Sequence, residues 1–521
     1  MSIIENMDNK ISELKNFFIK LRGQNIFGRL GKTFTSDEDL YFLDTGTGKI
    51  AKISKNVYLI LKCLFETDSF DNIFDLNLSK EDVINALNEI KVSVENDHIL
   101  SAKPLTTLTG QALYALESQL NNELAHLTLE VTQKCNLRCR YCIYHQYQTH
   151  YRNFEQKDMN WDIAKQAINF FNEHSKAKKE VYISFYGGEP LLNFPIIKNS
   201  VEYANKVIND GREIHYSITT NATLLTKEIS SFLARHDFNV SVSLDGPKDI
   251  HDENRITVNG KGSFEATLCG IKTYLDICKS LDIKPILGFN MVTSGSNYFE
   301  KYDQIQKFFD SLDWLPENVN ITSSLPGYAH TESKYVLPQS NEEKAILKNK
   351  SVPLRDWSKN ILKENYINLF SEGMLTKDLL IIHKRLLLDK PSKGYGMNGC
   401  CVPGQRRVYV DVDGNLLVCE RVGNAPNIGN VYSGFDIEKI KKHYVHDFIN
   451  EAKKYCKNCW AVNLCTLCYV DCYDSNGIHY SYRHNACVSY RKELEEALSW
   501  YHYLLKNKPE KLEVLNSITI K

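Results

Sequence analysis

No uninterrupted apolar run of about 18 residues occurs in the 521-residue chain, which excludes a membrane-spanning helix. Neither sign of charge dominates. Lysine and arginine number 63 against 64 aspartates and glutamates, and this near-neutral balance argues against a nucleic-acid partner. The opening residues, MSIIENMDNKISELK, lack a charged segment followed by an apolar one, so no secretion signal is expected and the protein is expected in the cytoplasm. Disulfides are rare in that compartment, and a chain of this length does not need them. The 15 cysteines therefore call for another explanation.

Their placement supplies one. Three lie between 135 and 142, nine between 400 and 487, and only Cys63, Cys269 and Cys278 stand alone. Clustered cysteines in a reducing compartment point to metal. The three isolated ones fall in helical pattern and read as small buried hydrophobes.

The rest of the chain divides by rhythm. Residues 39–53, DLYFLDTGTGKIAKI, read as two strands about a glycine turn; TGTGK lacks the spacing of a phosphate-binding loop. Two helices follow, one carrying Val57, Ile60, Leu61, Leu64 and Phe65, the other capped at Ser79. Residues 1–105 thus form a winged-helix-like module. Strands are predicted at 126–132, 181–186, 214–219, 239–244, 285–292 and 318–323, with helices between, such as 161–172. Six βα units over 120–328 imply a parallel sheet curved into a partial (βα)6 TIM-like barrel. CNLRCRYC, GGEP, TTNA and SLDG each follow or close one of the first four strands, the end of such a barrel where chemistry is placed. Residues 329–394 read as a polar helical bridge. Residues 395–490 form a loop-rich region whose core is expected to be metal, with short strands around Asp413-Gly414, and 491–521 read as a C-terminal helix.

CNLRCRYC holds Cys135, Cys139 and Cys142 with no fourth cysteine nearby. Structural zinc takes four ligands, which His145 or His150 would have to complete. An iron–sulfur cube tolerates an open iron. With GGEP and SLDG, this loop resembles the radical S-adenosylmethionine (SAM) superfamily over roughly 120–325. The resemblance implies that SAM fills the open iron through its amino and carboxylate groups and is cleaved to methionine and a 5′-deoxyadenosyl radical. It further implies SAM contacts from Tyr141 (adenine), from Gly187, Gly188 and Glu189 (the methionine amino group), and from Ser243 and Arg255 (carboxylate and ribose), with Asn221 as a further polar contact. Asp245 reads as a turn cap. Tyr144 and Arg152 lie in the segment after the cluster loop, where they could shape a substrate channel or shield the cluster; no residue is assigned a catalytic role beyond cluster and SAM.

The second field runs Cys401, twelve residues, Gly414, four residues, Cys419, and then Cys456, Cys459, Cys465, Cys468, Cys472 and Cys487. It resembles the SPASM domain, which holds two auxiliary 4Fe–4S clusters, three clusters in all. It departs from the family pattern in having two residues between Cys465 and Cys468 and in the extra Cys472. The resemblance implies Cys456, Cys459, Cys465 and Cys487 around an outer cluster. Cys401 or its neighbour Cys400, with Cys419, Cys468 and Cys472, would surround an inner one, open at one iron if Cys472 stays unbound. Two zinc knuckles are the plainer reading.

The N-terminal module resembles the recognition element that pairs a leader peptide with its sheet edge. Together the parts resemble a thioether-forming peptide maturase of the sactipeptide or ranthipeptide type. Its expected partners are a ribosomal precursor peptide with a leader, and a reductant such as flavodoxin or ferredoxin. The alternatives are another radical SAM/SPASM modification (anaerobic sulfatase maturation or a carbon–carbon crosslink) and a non-catalytic iron–sulfur electron-transfer protein.

Overall fold

The computed structural model of the protein describes residues 3–109, 115–144, 152–293, 298–316, 319–324, 379–396, 400–469 and 472–518. His145, His150 and most of the expected 329–394 bridge lie outside the described residues.

A helix, Ile3–Arg22, precedes a three-stranded antiparallel sheet of β1 (Gly31–Ser36), β2 (Asp39–Asp44) and β3 (Ile50–Lys52). The β2–β3 turn is held from inside. The Asp44 carboxylate accepts the Thr47 N–H, the Thr47 hydroxyl and the Leu100 N–H, each at 2.7 Å. Helices Lys55–Thr67 and Lys80–Asp97 start at Ser54 and Ser79, whose side chains accept backbone N–H groups of the first turn. Their apolar faces close a core with Phe18, Phe27 and Phe42.

A short strand β4 (Leu108–Thr109) leads to the barrel: β5 (His126–Thr132), β6 (Glu180–Gly187), β7 (Glu213–Thr220), β8 (Asn239–Ser243), β9 (Ile286–Val292) and β10 (Asn320–Ser324), all parallel and paired in sequence order. Crossover helices such as Trp161–His174 bury Ala164, Ala167, Ile168 and Phe171 against this sheet. Among the described residues, no helix is long and apolar enough to cross a membrane.

The sheet does not end at β5. After β11 (Tyr395–Gly396), which pairs with β4, strand β12 (Arg407–Val410) joins β5 in parallel, and β13 (Asn415–Leu417), β14 (Gly429–Asn430) and β15 (Gly434–Phe435) continue the sheet antiparallel, giving ten strands. This corrects the expectation of a metal core for 395–490. Val408, Val410, Leu416, Val418, Ile428 and Tyr444 are buried in one apolar cluster with the barrel, because β12 carries that core across the sheet.

The C-terminal helix also differs from its predicted limits. It spans Tyr480–Asn507, so Cys487 sits on it, and Pro509 stops it. It packs over β1. The Ser36 hydroxyl donates to the Ser499 carbonyl at 2.7 Å, the Ser499 hydroxyl donates to the Thr35 carbonyl, and Lys32 pairs with Glu495 at 2.9 Å. Phe34 and Leu43 join Leu494, Leu498 and Tyr501 in a third core.

Candidate functional site

The three-cysteine loop leaves β5 just past a register shift between Glu130 and Thr132, an irregularity that re-aims the outgoing chain. Two backbone bonds strap the loop to the residues on either side of Arg255: Arg138 N–H to the Ile256 carbonyl at 2.7 Å and Arg140 N–H to the Asn254 carbonyl at 3.0 Å. On the other side lies GGEP. A Cβ on Gly187 would stand 2.1 Å from the Thr132 carbonyl oxygen, and one on Gly188 would stand 2.2 Å from that of Lys134. These glycines therefore let two loops abut, with Gly188 and Glu189 N–H groups bonded to the Thr132 and Lys134 carbonyls at 2.9 and 2.8 Å.

Each sulfur of the loop has an N–H donor. Leu137 N–H lies 3.4 Å from Cys135 Sγ, the Arg255 guanidinium faces Cys139, and the Tyr144 N–H faces Cys142. Burial pushes all three thiols up, Cys139 to about 12, while Arg255 pulls Cys139 and Cys142 back. Thiolates here need a cationic guest. A single zinc ion, with Zn–S near 2.3 Å, would draw its sulfurs to about 3.8 Å from one another. Among the described residues, no three cysteine sulfurs lie within 4.8 Å of one another; the one set that closes so far is Glu180, Glu213 and His215, at the opposite end of the strands. The N–H donors suit an electron-rich iron–sulfur cube.

Asp245 organises the predicted SAM side, and sequence reasoning missed it by taking it for a turn cap. It is fully buried. Arg255 donates through Nη2 to its Oδ1 at 3.0 Å, with Nε 2.9 Å from Oδ2; the Val292 N–H reaches Oδ1 at 2.9 Å; the Tyr141 hydroxyl also donates to it. The guanidinium lies 5.4 Å from the Tyr141 ring centre. Behind it, His251 Nε2 is 3.0 Å from Ser263 Oγ, which donates to the Arg255 carbonyl at 2.7 Å. Ser243 ends β8 half-buried.

Glu189 is buried. Its carboxylate takes the Thr220 hydroxyl at 2.7 Å, the Asn221 N–H at 2.8 Å and the Leu191 N–H at 3.1 Å. Asn221 in turn donates from Nδ2 to Asn136 Oδ1 at 2.8 Å, so the loops after β5, β6 and β7 are one hydrogen-bonded unit. Burial without a cation raises Glu189 to about 7. A carboxyl whose folded value lies above its unfolded value of 4.5 stabilises the fold fully below 4.5, and that contribution is lost as pH rises to 7. Denaturation midpoints should therefore fall across this window by an amount on the order of 3 kcal/mol, and Glu189→Gln should remove that slope.

Between the two cysteine fields stands a buried pair. Arg152 Nε donates to Glu130 Oε1 at 2.5 Å and its guanidinium lies 3.8 Å from the Tyr144 ring centre, while the Val412 N–H reaches Glu130 Oε2 at 3.4 Å. In the second field, Cys400, Cys419, Cys456, Cys468 and Cys472 all pack against the main core. Burial pushes Cys419 up to about 12, and neighbouring Cys468 adds to it. Cys401 is exposed, whereas Cys400 turns in, its Sγ 4.0 Å from the Leu467 carbonyl oxygen.

Residues 129–307 match the radical SAM superfamily. The match runs from within β5 to beyond β9. A cysteine-type anaerobic sulfatase-maturating enzyme of Clostridium novyi is 26% identical over 397 residues, 74% of this chain and 97% of that one. The radical SAM cyclopropyl synthase TigE of Paramaledivibacter caminithermalis is 25% identical over 366 residues, 67% of this chain and 69% of that one. The solved structure of native anSMEcpe with bound AdoMet superposes with a TM-score of 0.53 at 23% identity, covering 76% of this chain and 100% of that one. The barrel thus has a fold also seen in a structure with bound AdoMet, and the chain is similar in sequence to anaerobic sulfatase-maturating enzymes.

Proposed function

We propose that the chain is a radical SAM maturase that forms a thioether between a cysteine sulfur and a carbon of a ribosomally made peptide. The observation that carries this reading is the pairing of β12 with β5, which puts the three-cysteine loop and Cys419 on one sheet, joined through Glu130 and Arg152. A peptide carbon held at the barrel mouth then has one cysteine field to start the oxidation and a second to receive the remaining electron. Cys135, Cys139 and Cys142 would hold the first cluster. Cys456, Cys459, Cys465 and Cys487 would hold an outer auxiliary cluster, and Cys419, Cys468 and Cys472 an inner one. As the last inner ligand we take Cys400 in place of Cys401, because the former is turned inward.

The first cluster with SAM supplies one-electron cleavage of a sulfonium and removal of a substrate hydrogen. The chain's own contribution is placement. Asp245 fixes the Tyr141 ring and the Arg255 guanidinium for the adenosine and carboxylate of SAM. Glu189 acts one step back, as a positioning residue that holds the Asn221 loop. A one-electron donor such as flavodoxin or ferredoxin would feed the clusters. β3 lies at a sheet edge with Ala51 and Lys52 exposed, and we assign that edge to the leader by strand addition.

Incubating reduced enzyme, SAM and a cysteine-containing precursor should give a peptide lighter by two hydrogens per crosslink and lacking one free thiol. SAM cleavage with an unchanged peptide mass would sink the proposal. A second reading, maturation of a sulfatase, draws on the 97% of the Clostridium novyi enzyme that aligns. It predicts a product that has lost the cysteine sulfur, which the same mass spectrum separates.

A further inference from the structure

Arg29 is a buried cation with no carboxylate beside it among the described residues. It ends the turn Phe27–Arg29 that leads into β1, and its relative exposure is 0%. Nη1 donates to the Cys459 carbonyl at 2.9 Å, and the guanidinium lies 4.5 Å from the Tyr395 ring centre. Nε and Nη2 are equally buried and make no well-aligned hydrogen bond among the described residues, where the Tyr395 side chain is the neutral group within reach of the guanidinium. The ionisable groups that act most on its charge are Tyr395, Cys459 and Cys456; none is a carboxylate. The buried acid of its own domain, Asp44, takes three donors of its own. An unpaired interior charge costs several kcal/mol, and an Arg offers five donors in a fixed fork, so two poorly used nitrogens with three N–H groups next to a Cys-x2-Cys run point to an anionic acceptor.

We propose that Arg29 is the counter-charge of the outer auxiliary cluster, offering its Nε–H and Nη2–H to the sulfur of a cube held by Cys456 and Cys459. The inference rests on the assignment of those cysteines as cluster ligands. A cube bound by four thiolates is an anion and gains further negative charge on reduction, so a guanidinium beside it favours the reduced state. The cation comes from the N-terminal domain, not from the cysteine-rich region itself. The same domain grips the cluster loop at two more points: Thr45 Oγ1 donates to the Trp460 carbonyl at 3.0 Å and Asn463 Nδ2 to the Thr45 carbonyl at 2.8 Å. The module assigned to the leader therefore also sets the electrostatics of the farther redox centre.

The test uses the full chain, reconstituted anaerobically, with Cys135, Cys139 and Cys142 replaced by alanine so that only auxiliary clusters give a signal. Iron is counted, and midpoint potentials are followed by electron paramagnetic resonance. Arg29→Met should move one of the two potentials to more negative values and leave the other in place, whereas Arg29→Lys should shift it far less. Equal potentials in all three proteins at full iron content would overturn the proposal. Absence of auxiliary iron in the protein that retains Arg29 would instead remove the cluster assignment beneath it. Should Arg29→Met fail to fold, thermal unfolding of a Cys456→Ser/Cys459→Ser background decides. There Arg29 has lost its anion, so Arg29→Met should raise the midpoint, and a lower midpoint overturns the counter-charge role.

Discussion

Replacing Asp245 with alanine should cost the folded protein about 3–5 kcal/mol and abolish detectable SAM binding. The size follows from what remains. Arg255 is 7% exposed and loses both contacts to its carboxylate, the Tyr141 hydroxyl loses its acceptor, and the Val292 N–H is orphaned. Breaking a buried ion pair from one side strands the other charge, which is the expensive case. Asp245→Asn should fall between, since an amide oxygen still accepts one bond while the charge is gone. Denaturant titration under anaerobic conditions reads the stability, and equilibrium dialysis with labelled SAM reads the binding. If Asp245→Ala binds SAM normally, the placement role of Tyr141 and Arg255 falls with it.

The second large effect concerns the cluster loop. Replacing Cys135, Cys139 and Cys142 together by alanine should remove about four iron atoms per chain and bring SAM cleavage to background, while any auxiliary iron stays. Little loss of stability is expected without a cluster. The loop is held by backbone bonds to residues 254 and 256 and by the Asn136–Asn221 bond, and none of these involves a sulfur. Iron analysis with chromatographic detection of 5′-deoxyadenosine checks both halves. Persisting SAM cleavage would remove this loop from the chemistry.

Much of this arrangement is legible in the amino acids because it is local. Alternation and cap residues mark β5 to β10 to within a few positions, and the cysteine spacings are properties of short peptides. What sequence reasoning misses depends on groups far apart in the chain. Glu189 reads as a ligand contact because its neighbours are glycines, yet its carboxylate turns toward Thr220 and Asn221, which only the packing of β6 beside β7 brings near. Asp245 reads as a turn cap because Gly246 follows it, while its partners come from positions 141, 255 and 292. Arg29 carries no motif, and its neighbour Cys459 lies 430 residues away. That Cys400 turns in while Cys401 is exposed is likewise something no spacing encodes. The apolar packing within 395–490 is missed for a related reason: its valines and leucines are too scattered in sequence to announce that β12 lends them the barrel's interior.

The helix that lies over β1 has a consequence for how the protein is made. Ser36 meets Ser499 across 463 residues, so the apolar side of the first sheet has no cover while the intervening chain is still on the ribosome. At roughly 5–20 residues per second that wait is on the order of a minute. During it Phe34 and Leu43 stand open to any passing hydrophobic surface, and a chaperone has its longest opportunity there. A nascent chain that stalls before Glu495 would leave the first-made domain sticky, however well the barrel behind it had closed.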